Sequence, residues 1–153
     1  MSVTLSSRLV LTVLLLAATA WSQQTQTTDK KAPPADPCDS AQTQMEISNC
    51  QDTQARKSEV KLAGLYRQIQ KAAQARMAER EGVLKSHEAT VLEKLKTAQL
   101  AWTHYRDAQC DAAEQQFEGG TIAPSVGAGC RRTLAEQRIK ELHDTYASYL
   151  LPQ

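Results

Sequence analysis

Aromatic and glycine residues are scarce in this chain of 153 residues, which has one Phe, two Trp, four Tyr and six Gly. No segment shows the sustained alternation of apolar and β-branched residues that is typical of strands, so no β-strand is predicted. The sequence also lacks Cys-x-x-Cys and paired-histidine motifs, the tight ligand pairs that zinc sites need. These absences favour a small all-α protein without a metal or cofactor.

A catalytic set is missing as well. The histidines His87, His104 and His143 are far apart in the sequence and fall on the second and third predicted helices, and no serine or cysteine nucleophile with a base and an orienting acid is recognisable beside them. Pairs of acids along the chain have the spacing of ordinary solvated helix faces. The sequence therefore predicts a protein that is not an enzyme.

Neither sign of charge is in excess. The chain has 18 Lys and Arg against 17 Asp and Glu, and one cation, Arg8, lies near the N-terminus in a predicted signal peptide. A balanced mature chain gives no electrostatic reason to expect a nucleic-acid partner.

The N-terminal region contains the longest apolar run, from Leu9 to Ala18. A run of this length after a single Arg, followed by small residues, predicts a secretory signal peptide over residues 1–22, and it is too short to span a bilayer. Residues 23–37 hold three prolines and almost no apolar side chains, which predicts a disordered linker. The folded domain is then residues 38–153, in a periplasmic or secreted protein with no transmembrane segment after signal removal.

Three helical stripes follow. The first predicts a helix from about Ser40, capped by Asp39, to about Glu79, and Gly82 supplies a turn. The second stripe ends at Gly119-Gly120, and a third runs to the C-terminus. The apolar seam of the second helix consists of Val91, Leu95, Ala98, Trp102 and Tyr105. We expect an all-α fold in which a long antiparallel helical hairpin carries a third packed helix and two disulfides.

The four cysteines are an even number in a chain predicted to be exported, so two disulfides are expected. Folding the first two helices about Gly82 places Cys50 within a turn of Cys110, which predicts the pairs Cys50–Cys110 and Cys38–Cys130. Sequential pairing, Cys38–Cys50 and Cys110–Cys130, is the alternative, because four cysteines allow three connectivities.

The segment around the second pair of cysteines contains the candidate site. Trp102 and Tyr105 are interpreted as core anchors. Arg106 and Asp107 are interpreted as structural residues, with Arg106 either bonding carbonyls of the glycine-rich stretch or pairing across helices. The glycine-rich stretch that follows is predicted to be a loop, because proline and glycine disfavour helix. The candidate partner-binding residues in and beside it are Gly119, Gly120, Thr121, Pro124, Ser125, Arg131 and Arg132.

Several boxes carry a family resemblance. They are the run from Cys38 to Cys50, Leu62-x-x-x-Tyr66, Ala98-Gln99-x-Ala101-Trp102-x-x-x-Arg106-Asp107-x-x-Cys110, Gly119-Gly120-Thr121-Ile122-x-Pro124, Cys130, and Leu134-x-x-x-Arg138-x-x-x-Leu142. In this order they resemble the small exported domain of the LprI-like lysozyme inhibitors, over about Cys38 to Leu150. The resemblance implies a partner that is a lysozyme. A structural or interaction module of the envelope, bound to another envelope protein, is the alternative function.

Overall fold

The computed structural model describes residues 36–151, which form four α-helices and no β-strand. The helices are α1 (Gln44–Glu79), α2 (Gly82–Gln115), α3 (Ala123–Thr145) and the short α4 (Ala147–Leu150). The predicted all-α architecture, a long hairpin with a third packed helix, is confirmed. The predicted signal peptide lies outside the described residues, as does the linker up to residue 35. No helix within residues 36–151 is long and apolar enough to cross a membrane.

Helix α1 begins later than predicted, at a cap formed by Thr43 instead of Asp39. The Thr43 hydroxyl accepts a hydrogen bond from the backbone N–H of Glu46, and the Glu46 carboxylate accepts one from the backbone N–H of Thr43. A helix starting at Ser40 would hold Cys38 and Cys50 far apart, because each helical residue adds about 1.5 Å of rise. Their Cα atoms are 5.7 Å apart in a disulfide, so residues 36–42 instead fold back in turns.

The hairpin between α1 and α2 turns where the sequence predicts it, at Gly82. This glycine has a φ of +57°, a backbone conformation that residues with a Cβ adopt only with strain. Helix α3 runs parallel to α1 and antiparallel to α2, so the N-termini of α1 and α3 and the C-terminus of α2 lie at one end of the bundle. Contacts that show these directions join Gln44 to Ser125, Ser58 to Glu136, Gln99 to Arg138 and Glu88 to Tyr149.

The core is a single cluster of side chains from the three long helices. Its buried members are Leu62, Ile69, Leu95, Ala135 and Leu142. Trp102 is half-buried and packs against this cluster, and its role as an anchor stays a prediction. Tyr105 is not a core residue: 54% of it is exposed. The positions of α2 that face the core repeat at intervals close to the 3.6 residues of a helical turn; they include Leu92, Leu95, Trp102 and Cys110. The predicted seam follows a shorter repeat and therefore drifts around the helix, so that its last member, Tyr105, lies on the solvent side.

The glycine-rich stretch is largely helical, and its prediction as a loop is wrong beyond Ile122. Helix α3 begins at Ala123, and Pro124 occupies its first turn, where the missing N–H is not needed. Gly127 is buried inside the helix because the Glu114 side chain of α2 crosses it so closely that a Cβ would clash. Gly127 thus makes room for the Glu114 side chain, while the turn itself relies on Gly119, with a φ of +79°.

The cysteines pair sequentially, Cys38 with Cys50 and Cys110 with Cys130, so the predicted cross-pairing is wrong. All four cysteines lie at one end of the bundle, as folding about Gly82 predicts. The cross-pairing, however, requires α1 to face α2 at that end. In the structure the start of α3 packs against the start of α1. A short turn joins the end of α2 to the start of α3, so Cys110 lies next to Cys130. The two bridges therefore each close a local loop.

Candidate binding surface at the disulfide-bearing end

The end of the bundle that carries both disulfides is the candidate site. We call it the disulfide end and define it as residues 36–55 and 107–130, which comprise the start of α1 with the turns before it, the end of α2, and the start of α3 with the turn before it. Gln44 of α1 donates a hydrogen bond to the Ser125 hydroxyl at 3.1 Å, and that hydroxyl donates to the carbonyl of Ile122 at 2.7 Å. These contacts tie the turn before α3 to the first turn of α1.

The disulfide end is acidic. Residues 36–55 and 107–130 contain no Lys, Arg or His. Their carboxylates are Asp36, Asp39, Glu46, Asp52, Asp107, Asp111, Glu114 and Glu118. Four of them pair with arginines that border the two segments: Asp52 with Arg56, Asp107 with Arg106, Glu114 with Arg131 and Asp36 with Arg132. Asp39, Glu46, Asp111 and Glu118 form no ion pair with any described residue.

Some of these carboxylates are engaged within the fold. Asp36 forms an ion pair with Arg132 at 2.8 Å, although the residue falls in the predicted linker. The N–H of Cys38 and the guanidinium of Arg132 hold the pKa of Asp36 below its ordinary value. The backbone N–H groups of Gln42 and Thr43 likewise lower the pKa of Glu46. Both carboxylates therefore keep their charge at mildly acidic pH.

Two carboxylates lie near the C-terminus of α2, where a negative charge is unfavourable for the helix. Asp111 and Glu118 are exposed, and neither forms an ion pair with any residue that the structure describes. The C-terminus of a helix carries partial negative charge, which favours cations in the last turn, yet α2 has none there. Helix stability therefore does not account for this choice of charge.

Exposed apolar side chains accompany the acids. Met45 at the start of α1 is 75% exposed, and Phe117 and Ile122 in the turn between α2 and α3 are 42% and 40% exposed. Apolar groups ringed by charge are typical of protein-binding surfaces, where the apolar part supplies buried area and the charges supply selectivity. The disulfide end combines both features on a backbone held by two covalent bridges.

The predicted partner-binding residues fall into two groups. The first group is exposed at the disulfide end, in the turn before α3 and in its first turn; it consists of Gly119, Gly120, Thr121 and Pro124. Ser125 is already hydrogen-bonded to Gln44, as described above.

The two arginines after Cys130 are engaged by acids. Arg131 faces Glu114 at 3.8 Å, and Arg132 is held between Asp36 and Glu136 at 2.8 and 3.0 Å. Their guanidinium groups complete the internal charge balance of the bundle, so they are less accessible to a partner than the turn is.

Sequence reasoning missed the acids and the apolar residues of this end. The signal was present as two segments without cations, one at the N-terminus of the domain and one before Cys130, but their proximity depends on the packing of α3. One further residue was not predicted. The side-chain amide oxygen of Gln51, Oε1, is buried beside Gly129 and has no hydrogen-bond partner among the described residues.

Two of the residues interpreted as structural, Trp102 and Arg106, line a separate groove between α1 and α2, of about 270 Å³. The Arg106 guanidinium lies 5.3 Å from the centre of the Trp102 ring and pairs with Glu59 at 3.3 Å and Asp107 at 2.6 Å. Its charge is therefore paired on both sides, and the structural role of this motif stays a prediction. Among residues 36–151, no group of three or more His, Cys, Asp or Glu side chains is arranged to hold a metal ion, and all four cysteines are in disulfides.

Comparison with known proteins places the domain in a family. Residues 35–142 match the model of the lysozyme inhibitor LprI family. The chain belongs to the LprI family. A relative, the uncharacterized protein R02472 of Rhizobium meliloti (strain 1021), is 36% identical over 115 residues, which cover 75% of this chain and 82% of that protein. No solved structure matches the chain. The match to the LprI family spans α1, α2, most of α3 and both disulfides.

Proposed function

We propose that this protein is an exported, non-enzymatic binding protein of the bacterial cell envelope that inhibits lysozyme. The match to the LprI family is the observation that carries the lysozyme part of the proposal. Export is supported by the predicted signal peptide of residues 1–22 and by two disulfides, which persist in oxidising compartments.

The disulfide end is the surface that we propose for the contact. Lysozymes are usually strongly basic proteins, and an acidic patch accelerates encounter with a basic partner by electrostatic steering. A chain of nearly neutral net charge does not provide this steering uniformly. The carboxylates of the disulfide end that have no ion-pair partner, Asp39, Glu46, Asp111 and Glu118, concentrate it at one end of the bundle.

Rigidity is the second argument for this surface. The Cys110–Cys130 bridge closes the turn that contains Gly119 and Thr121, and the Cys38–Cys50 bridge fixes the segment before α1. A surface that is ordered before binding loses less conformational entropy on association. In this proposal the exposed Thr121 hydroxyl and the Phe117 ring enter the substrate cleft of the enzyme, and Asp111 and Glu118 contact its basic rim.

A turbidity assay of cell-wall lysis by a basic lysozyme tests the proposal. The protein is used in the form that accumulates when the full chain is expressed. The unmodified protein should slow lysis, and the slowing should weaken as salt is raised. The variant Asp111→Asn, Glu118→Gln should inhibit about tenfold less, since it removes two exposed charges from the contact. Glu81→Gln, Glu93→Gln is the matched control, because it removes two exposed charges near the opposite end of α2, one from the residue before the helix and one from its first half.

Each outcome is informative. Absence of slowing by the unmodified protein would reject lysozyme inhibition for that enzyme and favour an interaction module of the envelope. Slowing that both double variants retain in full would keep the function and reject the acidic surface. An equal loss in both variants would show that net charge, and not the disulfide end, governs the effect.

A further inference from the structure

The outward side of α1 is basic. Its exposed cations between residues 53 and 78 are Arg56, Lys57, Lys61, Arg67 and Lys71, and we call this surface the basic face. Glu59 is the one carboxylate in that range, and it lies on the other side of the helix, where it pairs with Arg106 of α2 at 3.3 Å. The basic face therefore carries cations without interspersed acids.

Most of these cations are unpaired. Arg56 forms an ion pair with Asp52 at 2.8 Å. Lys57, Lys61, Arg67 and Lys71 have no carboxylate within ion-pair distance among residues 36–151. The basic face also contains two like-charge pairs at i, i+4, Lys57 with Lys61 and Arg67 with Lys71, and such pairs weaken a helix. The fold gains nothing from this arrangement.

The exposed cations of the other two long helices are fewer or paired. On α3, every arginine and lysine pairs with a carboxylate; these residues are Arg131, Arg132, Arg138 and Lys140. On α2, Lys85, Lys94 and Lys96 are exposed and have no carboxylate within ion-pair distance among residues 36–151, but they are three, and the exposed acid Glu93 lies among them in the sequence. The larger set of unpaired cations is thus on α1.

The shape of the basic face fits a flat partner. From Arg56 to Lys71 the helix advances roughly 22 Å, at about 1.5 Å per residue. Val60 lies among the cations and is 70% exposed, and it lines a shallow depression with the stems of Arg56, Lys57 and Lys61. Gly64, on the same side of α1, leaves the surface open where a side chain would stand. A straight row of cations around an exposed apolar side chain matches a membrane interface, which offers anionic headgroups above an apolar layer.

We propose that the basic face of α1 lies against an anionic phospholipid membrane. This contact is independent of lysozyme inhibition and uses a different surface. It leaves the disulfide end, which anionic headgroups repel, free for a partner in solution. The apolar Val60 favours lipid over a soluble anionic polymer, because a polymer without acyl chains offers nothing apolar to cover it.

Co-sedimentation with lipid vesicles tests the proposal. The protein, in the form that accumulates after expression of the full chain, is mixed with vesicles of phosphatidylglycerol and phosphatidylcholine or of phosphatidylcholine alone. It should bind the anionic vesicles, and the triple variant Lys57→Gln, Lys61→Gln, Lys71→Gln should bind them about a hundredfold more weakly. The matched control is Lys85→Gln, Lys94→Gln, Lys96→Gln, which removes the same charge from exposed positions of α2. The unmodified protein and all variants have the same N-terminal segment, so any lipid affinity of that segment does not affect the comparison between them.

The expected result is loss of binding in the α1 variant and retention in the α2 control. No preference of the unmodified protein for anionic vesicles would overturn the proposal, and so would equal loss in the two triple variants. Val60→Ser provides a separate measurement of the lipid contact. It should weaken vesicle binding several-fold while leaving retention on dextran sulfate unchanged. Equal binding of Val60→Ser and the unmodified protein to vesicles would reject lipid as the partner.

Discussion

Replacing Glu88 with glutamine should lower the free energy of unfolding by about 2 kcal/mol, although the two side chains have nearly the same shape. Glu88 lies near the start of α2, and only 2% of it is exposed. One carboxylate oxygen is 2.6 Å from the Arg80 guanidinium at the end of α1, and the other accepts a hydrogen bond of 2.6 Å from the Tyr149 hydroxyl of α4. This one carboxylate joins three elements of the fold.

The magnitude follows from the donors that remain. A hydrogen bond to a charged group contributes about 1.5–3 kcal/mol, and a buried ion pair that loses one partner costs about 3–5 kcal/mol. In Glu88→Gln the amide oxygen still accepts from one of the two donors. The Arg80 side chain is 38% exposed, so water partly replaces the lost contact. For these two reasons the loss of unfolding free energy in Glu88→Gln should lie near the low end of these ranges, while Glu88→Ala should cost about 3 kcal/mol or more.

Urea denaturation followed by far-ultraviolet circular dichroism measures these differences. Glu81→Gln is the control, because Glu81 is exposed, and it should change stability by less than about 0.5 kcal/mol. The double variant Glu88→Gln, Tyr149→Phe should lose less than the sum of the single losses, since the two residues share a hydrogen bond. If Glu88→Gln unfolds at the same urea concentration as Glu81→Gln, the buried carboxylate does not tie α1, α2 and α4 together as we argue.

Three further predictions follow from the fold. Peptide mapping of the non-reduced protein should yield a fragment joining Cys110 to Cys130, and replacing both with serine should cost about 3 kcal/mol for a loop of 20 residues; a Cys50–Cys110 fragment would contradict the pairing. Trp102→Ala should cost about 3 kcal/mol in urea denaturation, as loss of a half-buried aromatic, whereas exposed His104→Ala should cost less than about 0.5 kcal/mol; similar losses would refute the anchor role. Burial, together with Glu88, raises the pKa of Tyr149, so its contribution to stability should be complete below pH about 10 and decline as pH rises further. Tyr149→Phe should flatten that decline, and an unchanged profile would remove this tyrosine as its cause.

The amino-acid sequence by itself determined the helices of this protein and the turn between the first two. Apolar positions repeating every three or four residues require a helix to gather them on one face, and Gly82 is needed where the backbone takes a positive φ. These are interactions between residues close in sequence. The family could also be predicted from the spacing of motifs such as Ala98-Gln99-x-Ala101-Trp102, because that spacing is a property of the chain alone.

Only the tertiary structure decided which cysteines pair, where α3 begins and which charges meet. Cys110 bonds Cys130 and not Cys50 because α3 packs against the start of α1 and is joined to α2 by a short turn. Pro124 and Gly127 are disfavoured within a helix by local propensity, yet α3 includes both, since the proline occupies its first turn and the glycine makes room for α2. The acidic end arises in the same way. Two segments without cations lie more than fifty residues apart in the chain, and only the packing of three helices places their carboxylates on one surface.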